Sequence, residues 1–206
     1  MPRKPRIFTD SGTYHIISRG NNRQDLFLSS KDCFAYLDLL RALKKEYRFD
    51  VYHYCLMTNH VHLLVRFYDH LSFQKVIQRV NVAYAKRYCK LYNYIGHVFQ
   101  DRYKSLPIER DSYLLECGRY IERNPLTARL VKQLTDYPWS SYSYYADGLP
   151  NDLITDNPLY LDLGFTPAER RVRYQDYVLT ERIDTLTVPA LFGEPVKENR
   201  YGEPVP

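Results

Sequence analysis

The chain contains 206 residues, of which 45% are hydrophobic, and its formal net charge is +5. A chain of this length forms one domain, with or without an appendage, and can bury a substantial core. Because no apolar stretch is long enough to span a membrane and no apolar segment follows the basic N-terminus, we predict a cytoplasmic protein without membrane contact. The four cysteines lie far apart without a Cys-x-x-Cys pair, which argues against a zinc ribbon or a redox dithiol.

Charge is distributed unevenly along the chain. Residues 1–135 contain 23 Lys and Arg against 12 Asp and Glu, a net charge of +11, whereas residues 136–206 contain 6 against 12, a net charge of −6. The basic part favours a polyanionic partner such as nucleic acid. The acidic part could lie across the basic surface and compete with DNA, or it could simply improve solubility.

Strand-forming and helix-forming patterns alternate from the N-terminus onward. The predicted order is strand, helix, strand, strand, helix and strand, in residues 7–18, 30–47, 49–58, 60–67, 71–92 and 98–109. This βαββαβ order is that of the ferredoxin-like arrangement, an antiparallel sheet with two helices on one face and the other face free to carry a site.

Three predictions concern the rest of the chain. In the last strand, Gln100, Arg102 and Lys104 repeat with period two and so are expected on one face of the sheet. A third helix is predicted from Ser112 to about Asn124, and Pro125 helps to stop it because the residue before a proline is disfavoured in the α conformation. A further helix begins at Thr166-Pro167, and residues 192–206 are expected to be extended or disordered.

The strand that begins at residue 60 carries two histidines, His60 and His62. Alternate side chains of a strand point the same way, so both imidazoles can share one metal ion. A divalent ion that does chemistry needs at least one more protein ligand and open positions. Two histidines at this spacing also occur by chance, so the pair alone does not establish a metal site.

The predicted third helix carries Tyr120 and Asn124, four residues apart and therefore on one face. A phenol and an amide oxygen could reach the open side of the histidine pair together. Tyr113 lies two turns earlier on a similar face and is a competing nucleophile. Since the chain contains 21 tyrosines, position on a helix cannot choose between them.

Several basic and polar side chains are candidates for contact with DNA. An ordinary exposed loop and the solvated face of a helix explain the same residues without DNA. The candidates are Arg19, Asn21, Arg23, Lys75, Arg79, Arg102 and Lys104.

Several separated motifs occur in a fixed order along the chain: His60-Val-His62, Phe99-Gln-Asp-Arg-Tyr-Lys-Ser105, Tyr113-Leu-Leu-Glu-Cys-Gly-Arg-Tyr-Ile-Glu-Arg-Asn-Pro125 and Trp139-Ser-Ser-Tyr142, with Arg19-Gly-Asn near the start. Together they resemble the REP-associated tyrosine transposases, which are relatives of the single-tyrosine transposases in the HUH endonuclease superfamily. The resemblance covers roughly residues 7–145. We therefore predict a transposase domain of residues 1–148 and an acidic C-terminal extension of residues 149–206.

The resemblance implies a role for each matching residue. His60 and His62 correspond to the metal ligands, Tyr120 to the catalytic tyrosine, and Asn124 to the polar side chain that completes the metal site; some relatives have glutamine there. The implied activity is cleavage and rejoining of single-stranded DNA at REP-type hairpins, with Mg²⁺ or Mn²⁺ and a 5′-phosphotyrosine intermediate. Members of this branch can act as monomers. Two alternatives remain, a non-catalytic hairpin-binding protein and a metal-dependent nuclease that uses water.

Overall fold

The computed structural model of the protein describes residues 8–109 and 111–180, so the prediction for residues 192–206 lies outside the described residues. The strands are β1 (Thr13–Arg19), β2 (Phe49–Met57), β3 (His60–Phe67) and β4 (Lys104–Pro107). The helices are α1 (Ser30–Lys44), α2 (His70–Tyr92), α3 (Asp111–Thr127), α4 (Tyr142–Asp147), α5 (Pro158–Leu161) and α6 (Pro167–Leu179). No helix within these two ranges has the length and apolar character needed to cross a membrane.

The four strands form one antiparallel sheet in the order β2-β3-β1-β4. This order confirms the predicted ferredoxin-like fold class. Alternation along β3 divides the sheet into two faces: Val61, Leu63 and Val65 belong to the core shared with α1 and α2, whereas Leu64 belongs to a second apolar cluster on the opposite face. His60 and His62 share this opposite face with Leu64 because the three residues occupy every second position along β3.

Helix α3 covers part of the face that carries the histidines. Its Leu114, Cys117 and Ile121 side chains pack against the second apolar cluster, with Leu64 and Cys55 from the sheet. The site predicted for the open face therefore lies between the sheet and α3.

The prediction that Pro125 helps to stop α3 near Asn124 is wrong, because the helix continues through Pro125 to Thr127. Proline lacks the N–H that would donate to the carbonyl of Ile121. The side-chain amide of Asn124 donates to that carbonyl instead, at 3.2 Å, and to the carbonyl of Tyr120 at 2.8 Å. The proline is tolerated because a neighbouring side chain supplies the missing donor.

The predicted final strand is also too long. Only Lys104–Pro107 pairs with β1, while Gln100 and Arg102 lie in the loop before β4. An isolated bridge between Gly20 and Phe99 ties this loop to the end of β1. The period-two pattern was therefore not the signature of one continuous strand.

The described part of the C-terminal extension packs onto the rest of the chain. Leu153, Tyr160 and Tyr174 belong to the same core cluster as β1 and β3. Thr166 caps α6 and Pro167 occupies its first turn, as predicted. The division between residues 148 and 149 stays a prediction, as does competition between the acidic segment and DNA.

Candidate active site

The two histidines of β3 lie together on the face covered by α3. Their ring centroids are 4.8 Å apart and the rings are nearly perpendicular. His62 is only 1% exposed, whereas His60 is half-buried at the start of the strand. Burial is the main reason why the pKa of His62 lies well below its usual value, and electrostatic interactions with His15, His60 and Arg19 lower it further. His62 is therefore a neutral imidazole, the form that binds metal ions.

A third histidine, His15 on β1, supports His62 from the neighbouring strand. The Nε2 atom of His15 lies 2.8 Å from Nδ1 of His62, and His15 is completely buried. Burial lowers the pKa of His15 to about 3, so this ring is also neutral. A neutral imidazole has one acceptor nitrogen. When Nε2 of His15 accepts from Nδ1 of His62, the Nε2 atom of His62 carries the lone pair.

His60 is supported by Asn59, the residue before it. The side-chain nitrogen of Asn59 donates to the carbonyl of Arg23 at 3.2 Å, which leaves its Oδ1 atom as an acceptor 2.7 Å from Nδ1 of His60. His60 must therefore donate from Nδ1, and its Nε2 atom carries the lone pair. Both histidines of the pair are thus held at Nδ1, the arrangement found around metal-bound histidines.

The turn after β1 holds Asn59 in place. Gly20 donates from its backbone N–H to the carbonyl of Asn59 at 2.8 Å. A side chain at this position would place a Cβ atom 2.2 Å from the carbonyl oxygen of Gln24, so only glycine fits. The turn after β1 therefore positions a partner of His60.

Tyr120 of α3 lies beside the histidines. Its ring centroid is 5.8 Å from that of His62 and 5.9 Å from that of His15, with both contacts edge-on. Tyr113 packs at the margin of the second apolar cluster, and no ring contact within the described ranges joins it to the three histidines. The tertiary structure therefore brings Tyr120, and not its competitor, against the histidine cluster.

The side chain of Asn124 has a nitrogen that supports α3 and an oxygen that could meet another group. Its nitrogen is used by the carbonyls of Tyr120 and Ile121, so Oδ1 is the atom left for another partner. Among the residues that the structure describes, no group of three or more His, Cys, Asp or Glu side chains is placed to hold a metal ion. The structure thus places the imidazoles of His60 and His62 together, and Asn124 keeps its amide oxygen free of the contacts that its nitrogen makes with α3.

Three of the predicted DNA contacts gather next to the histidine pair. Arg19, Arg102 and Lys104 line one cavity of about 190 Å³. Arg19 is the residue of β1 that pairs with His60 of β3 in the sheet. Although Arg102 lies outside the strand, the loop returns it to the same edge as Lys104.

A larger groove of about 690 Å³ lies between α2 and the loop of residues 96–103. Lys75 lines this groove, and Arg102 lines both the groove and the smaller cavity. Basic side chains therefore lead from the histidine pair around the β4 edge to α2.

The remaining candidates lie elsewhere. Arg79 forms an ion pair with Glu46 and donates to the hydroxyl of Tyr47 at 2.9 Å, which directs its guanidinium toward the end of α1. Arg23 is exposed in the turn after β1, and the backbone of Asn21 donates to Val98. His15 and Asn59 were missed by sequence reasoning. The sign that could have revealed Asn59 is its position directly before the histidine pair.

Comparisons with known proteins indicate the family and the fold of the chain. The model of the family described as "Transposase IS200 like" matches residues 9–124. A REP-associated tyrosine transposase bound to a REP hairpin has a TM-score of 0.57 and 19% identity, and the match covers 75% of this chain and 92% of that chain. At this identity the likeness shows a shared fold. A putative transposase from Deinococcus radiodurans, with a TM-score of 0.41 and 19% identity, matches 59% of this chain and 97% of its own, too loosely to support an argument.

No curated protein matches the chain. The family match, however, covers more than half of the residues and includes both histidines of β3, Tyr120 and Asn124. We conclude that the chain belongs to the IS200-like transposase family, in agreement with the resemblance seen in its sequence.

Proposed function

We propose that the protein is a metal-dependent endonuclease and strand transferase that acts on single-stranded DNA at REP-type hairpins. The observation that carries this proposal is the edge-on contact between Tyr120 and His62, with ring centroids 5.8 Å apart. A protein that only bound DNA would have no need for a phenol beside a pair of oriented imidazoles. The family match supports the same activity.

His60 and His62 are the proposed protein ligands of a divalent ion, with Oδ1 of Asn124 as a third donor. The donor set fits such an ion because burial keeps His62 neutral and because partners at Nδ1 orient both rings. Mg²⁺ or Mn²⁺ is the expected ion, since phosphate chemistry with open positions favours hard cations. Bound there, it would polarise a non-bridging oxygen of the scissile phosphate.

Tyr120 is the proposed nucleophile. Its phenolic oxygen forms a bond to phosphorus, the bond from phosphorus to the 3′ oxygen breaks, and the phenolic proton passes to solvent while the departing oxygen takes one up. The products are a 5′-phosphotyrosine and a free 3′-OH. A phenol with a reference pKa of about 10 is also a competent leaving group. The 3′-OH of another strand can therefore reverse the step and join DNA without ATP.

We place the DNA strand along the basic side chains that begin beside the histidine pair. Arg19, Arg102 and Lys104 would hold the phosphates next to the cleaved bond, and Lys75 would meet the strand in the groove beside α2. Because Tyr120 contacts the histidines of its own chain, we propose that a monomer carries the complete site.

The experiment incubates the protein with a 5′-extended hairpin oligonucleotide and Mn²⁺ and separates the products by denaturing electrophoresis. We expect a protein band carrying DNA that requires metal, disappears in Tyr120→Phe and persists in the matched control Tyr113→Phe. Equal cleavage by Tyr120→Phe would assign the nucleophile to water or to another tyrosine. Binding of hairpins without any cleavage would favour the non-catalytic alternative.

A further inference from the structure

A buried carboxylate lies on α3 two residues beyond Tyr120. Glu122 has no exposed surface, and its Oε1 atom accepts hydrogen bonds from Ser141 Oγ at 2.5 Å and from His53 Nδ1 at 2.9 Å. Its Oε2 atom accepts from the hydroxyl of Tyr174 at 2.6 Å. Because an isolated buried charge is very costly, three donors from three different segments must converge on this carboxylate.

The direction of each hydrogen bond in this cluster is determined by the structure. Asn157 accepts from the backbone of Leu159 through Oδ1, so its nitrogen is the atom 2.9 Å from Nε2 of His53. His53 accepts there and therefore donates from Nδ1 to Glu122. Burial raises the pKa of Tyr174 well above its usual value, which keeps its hydroxyl protonated and donating. The cluster contains no mismatched donor or acceptor among these contacts.

A second set of contacts joins α3 to the C-terminal end of α6. Arg119 donates to the carbonyls of Tyr177 at 3.1 Å and Thr180 at 2.6 Å, and Arg123 donates to the carbonyl of Val178 at 2.6 Å. The last carbonyls of a helix lack partners within the helix and form its negative end, so two guanidinium groups satisfy them and complement the dipole. Arg119 is itself buried.

The two sets of contacts restrict the same two turns of α3. Close packing adds to them, since a Cβ atom at Gly118 would lie 2.6 Å from the ring of His53. Tyr120 and Asn124 occupy the neighbouring face of these turns. A rotation or shift of α3 that moved Tyr120 away from His62 would therefore break buried hydrogen bonds.

From these contacts we propose that α6 acts as a brace for the tyrosine helix, with Glu122, Tyr174, Arg119 and Arg123 as positioning residues for Tyr120. The brace fixes the rotation of α3 about its axis and its position along that axis, relative to the sheet of its own chain. Its role in DNA cleavage rests on the proposed function, whereas its effect on α3 does not. The described part of the C-terminal extension thus belongs to the machinery that places the nucleophile.

The test compares two variants of the full chain that each lose one buried hydroxyl. Tyr174→Phe removes the donor to Oε2 of Glu122, and the matched control Tyr160→Phe removes a donor to the carbonyl of Tyr145, 3.1 Å away in the same aromatic cluster. We measure amide hydrogen exchange in residues 113–127, the single-turnover rate of hairpin cleavage with Mn²⁺, and hairpin affinity without metal.

We expect faster exchange in residues 113–127 for Tyr174→Phe than for Tyr160→Phe. We also expect a cleavage rate about tenfold lower with unchanged hairpin affinity, because small misplacement of a reacting group can cost up to about 100-fold in rate. Arg123→Gln, which removes a contact from the other set, should act in the same direction. Both variants retain the ring or the stem of the original side chain and so preserve most packing.

Equal exchange of residues 113–127 in the two tyrosine variants would contradict the proposal that α6 positions α3. So would equal cleavage rates, since a role limited to general stability predicts the same loss for either hydroxyl. If the wild-type protein cleaves no hairpin, the proposed function fails, and the exchange measurement still decides whether α6 positions α3.

Discussion

Two buried histidine clusters lie against α3 and use hydrogen bonds differently. The Nδ1 atom of His62 lies 2.8 Å from another imidazole, that of His15, and when it donates there the Nε2 atom of His62 carries a lone pair for another group. His53 uses both ring nitrogens, one for Glu122 and one for Asn157. Equally deep burial therefore produces a candidate ligand in one place and a structural residue in the other.

The difference shows how to separate a ligand from a structural histidine. Depth of burial cannot do so, since His15, His53 and His62 are all 1% exposed or less. The deciding feature is which ring nitrogens already have partners. A histidine bonded to a carboxylate and an amide has partners at both ring nitrogens. One that is held at Nδ1 is oriented for a further bond at Nε2.

The largest expected effect comes from breaking each cluster in turn. His62→Ala should abolish Mn²⁺ binding while leaving most of the fold stable. His53→Ala should lower the free energy of unfolding by about 3–5 kcal/mol, because it deprives the buried Glu122 charge of a partner, and should leave Mn²⁺ binding intact in the folded protein. Mn²⁺ titration by electron paramagnetic resonance and urea unfolding would test both. Loss of Mn²⁺ binding by folded His53→Ala would contradict the distinction.

The role of His15 can be tested with two substitutions. If His62 donates from Nδ1 to His15, then His15→Leu removes that acceptor and should weaken Mn²⁺ binding by about 10–100-fold, the usual cost of losing such a partner. His15→Gln supplies an amide oxygen and should recover part of the affinity. The ¹⁵N chemical shifts of His62 in metal-free protein report its tautomer directly. Identical affinities for the two variants would show that acceptance of this hydrogen bond does not matter.

Asn124 allows the helical and the metal-binding roles to be separated. Asn124→Asp keeps an oxygen for the ion but replaces the nitrogen that donates to the carbonyls of Tyr120 and Ile121. The free energy of unfolding should fall by about 1–3 kcal/mol, while Mn²⁺ affinity should be retained. Thermal unfolding and Mn²⁺ titration provide the two readouts. Unchanged stability would mean that the amide does not support α3 past Pro125.

The smallest expected effect concerns DNA contacts away from the clusters. Lys75→Gln should weaken hairpin binding a few-fold and reduce the slope of log affinity against log salt concentration by about 0.7, the value for one contact with a single strand. Arg79→Gln should change neither the hairpin affinity nor the salt slope much, because Arg79 is paired with Glu46. Fluorescence anisotropy at several salt concentrations would compare them. An equal loss in both variants would place the DNA across α2 instead of in the groove.

Much of the fold could be predicted from local patterns. The alternation that pairs His60 with His62, the helical spacing of α1 and α2, and the cap at Thr166 all depend on residues close together in the sequence. The errors arose where a particular side-chain hydrogen bond or strand pairing overrides the general preference. Pro125 does not end α3 because Asn124 replaces its missing donor, and β4 is short because only four residues find a partner on β1.

The roles predicted for His60, His62, Tyr120 and Asn124 stay predictions, although the structure brings the two histidines and the tyrosine together. What the sequence determined by itself was the order of elements, the shared face of the histidine pair and the family, because periodicity and motifs are local. Only the tertiary structure decided that His15 supports His62 and that Tyr174 reaches Glu122. Those partners are separated by 47 and 52 residues, and their meeting depends on strand order and helix packing.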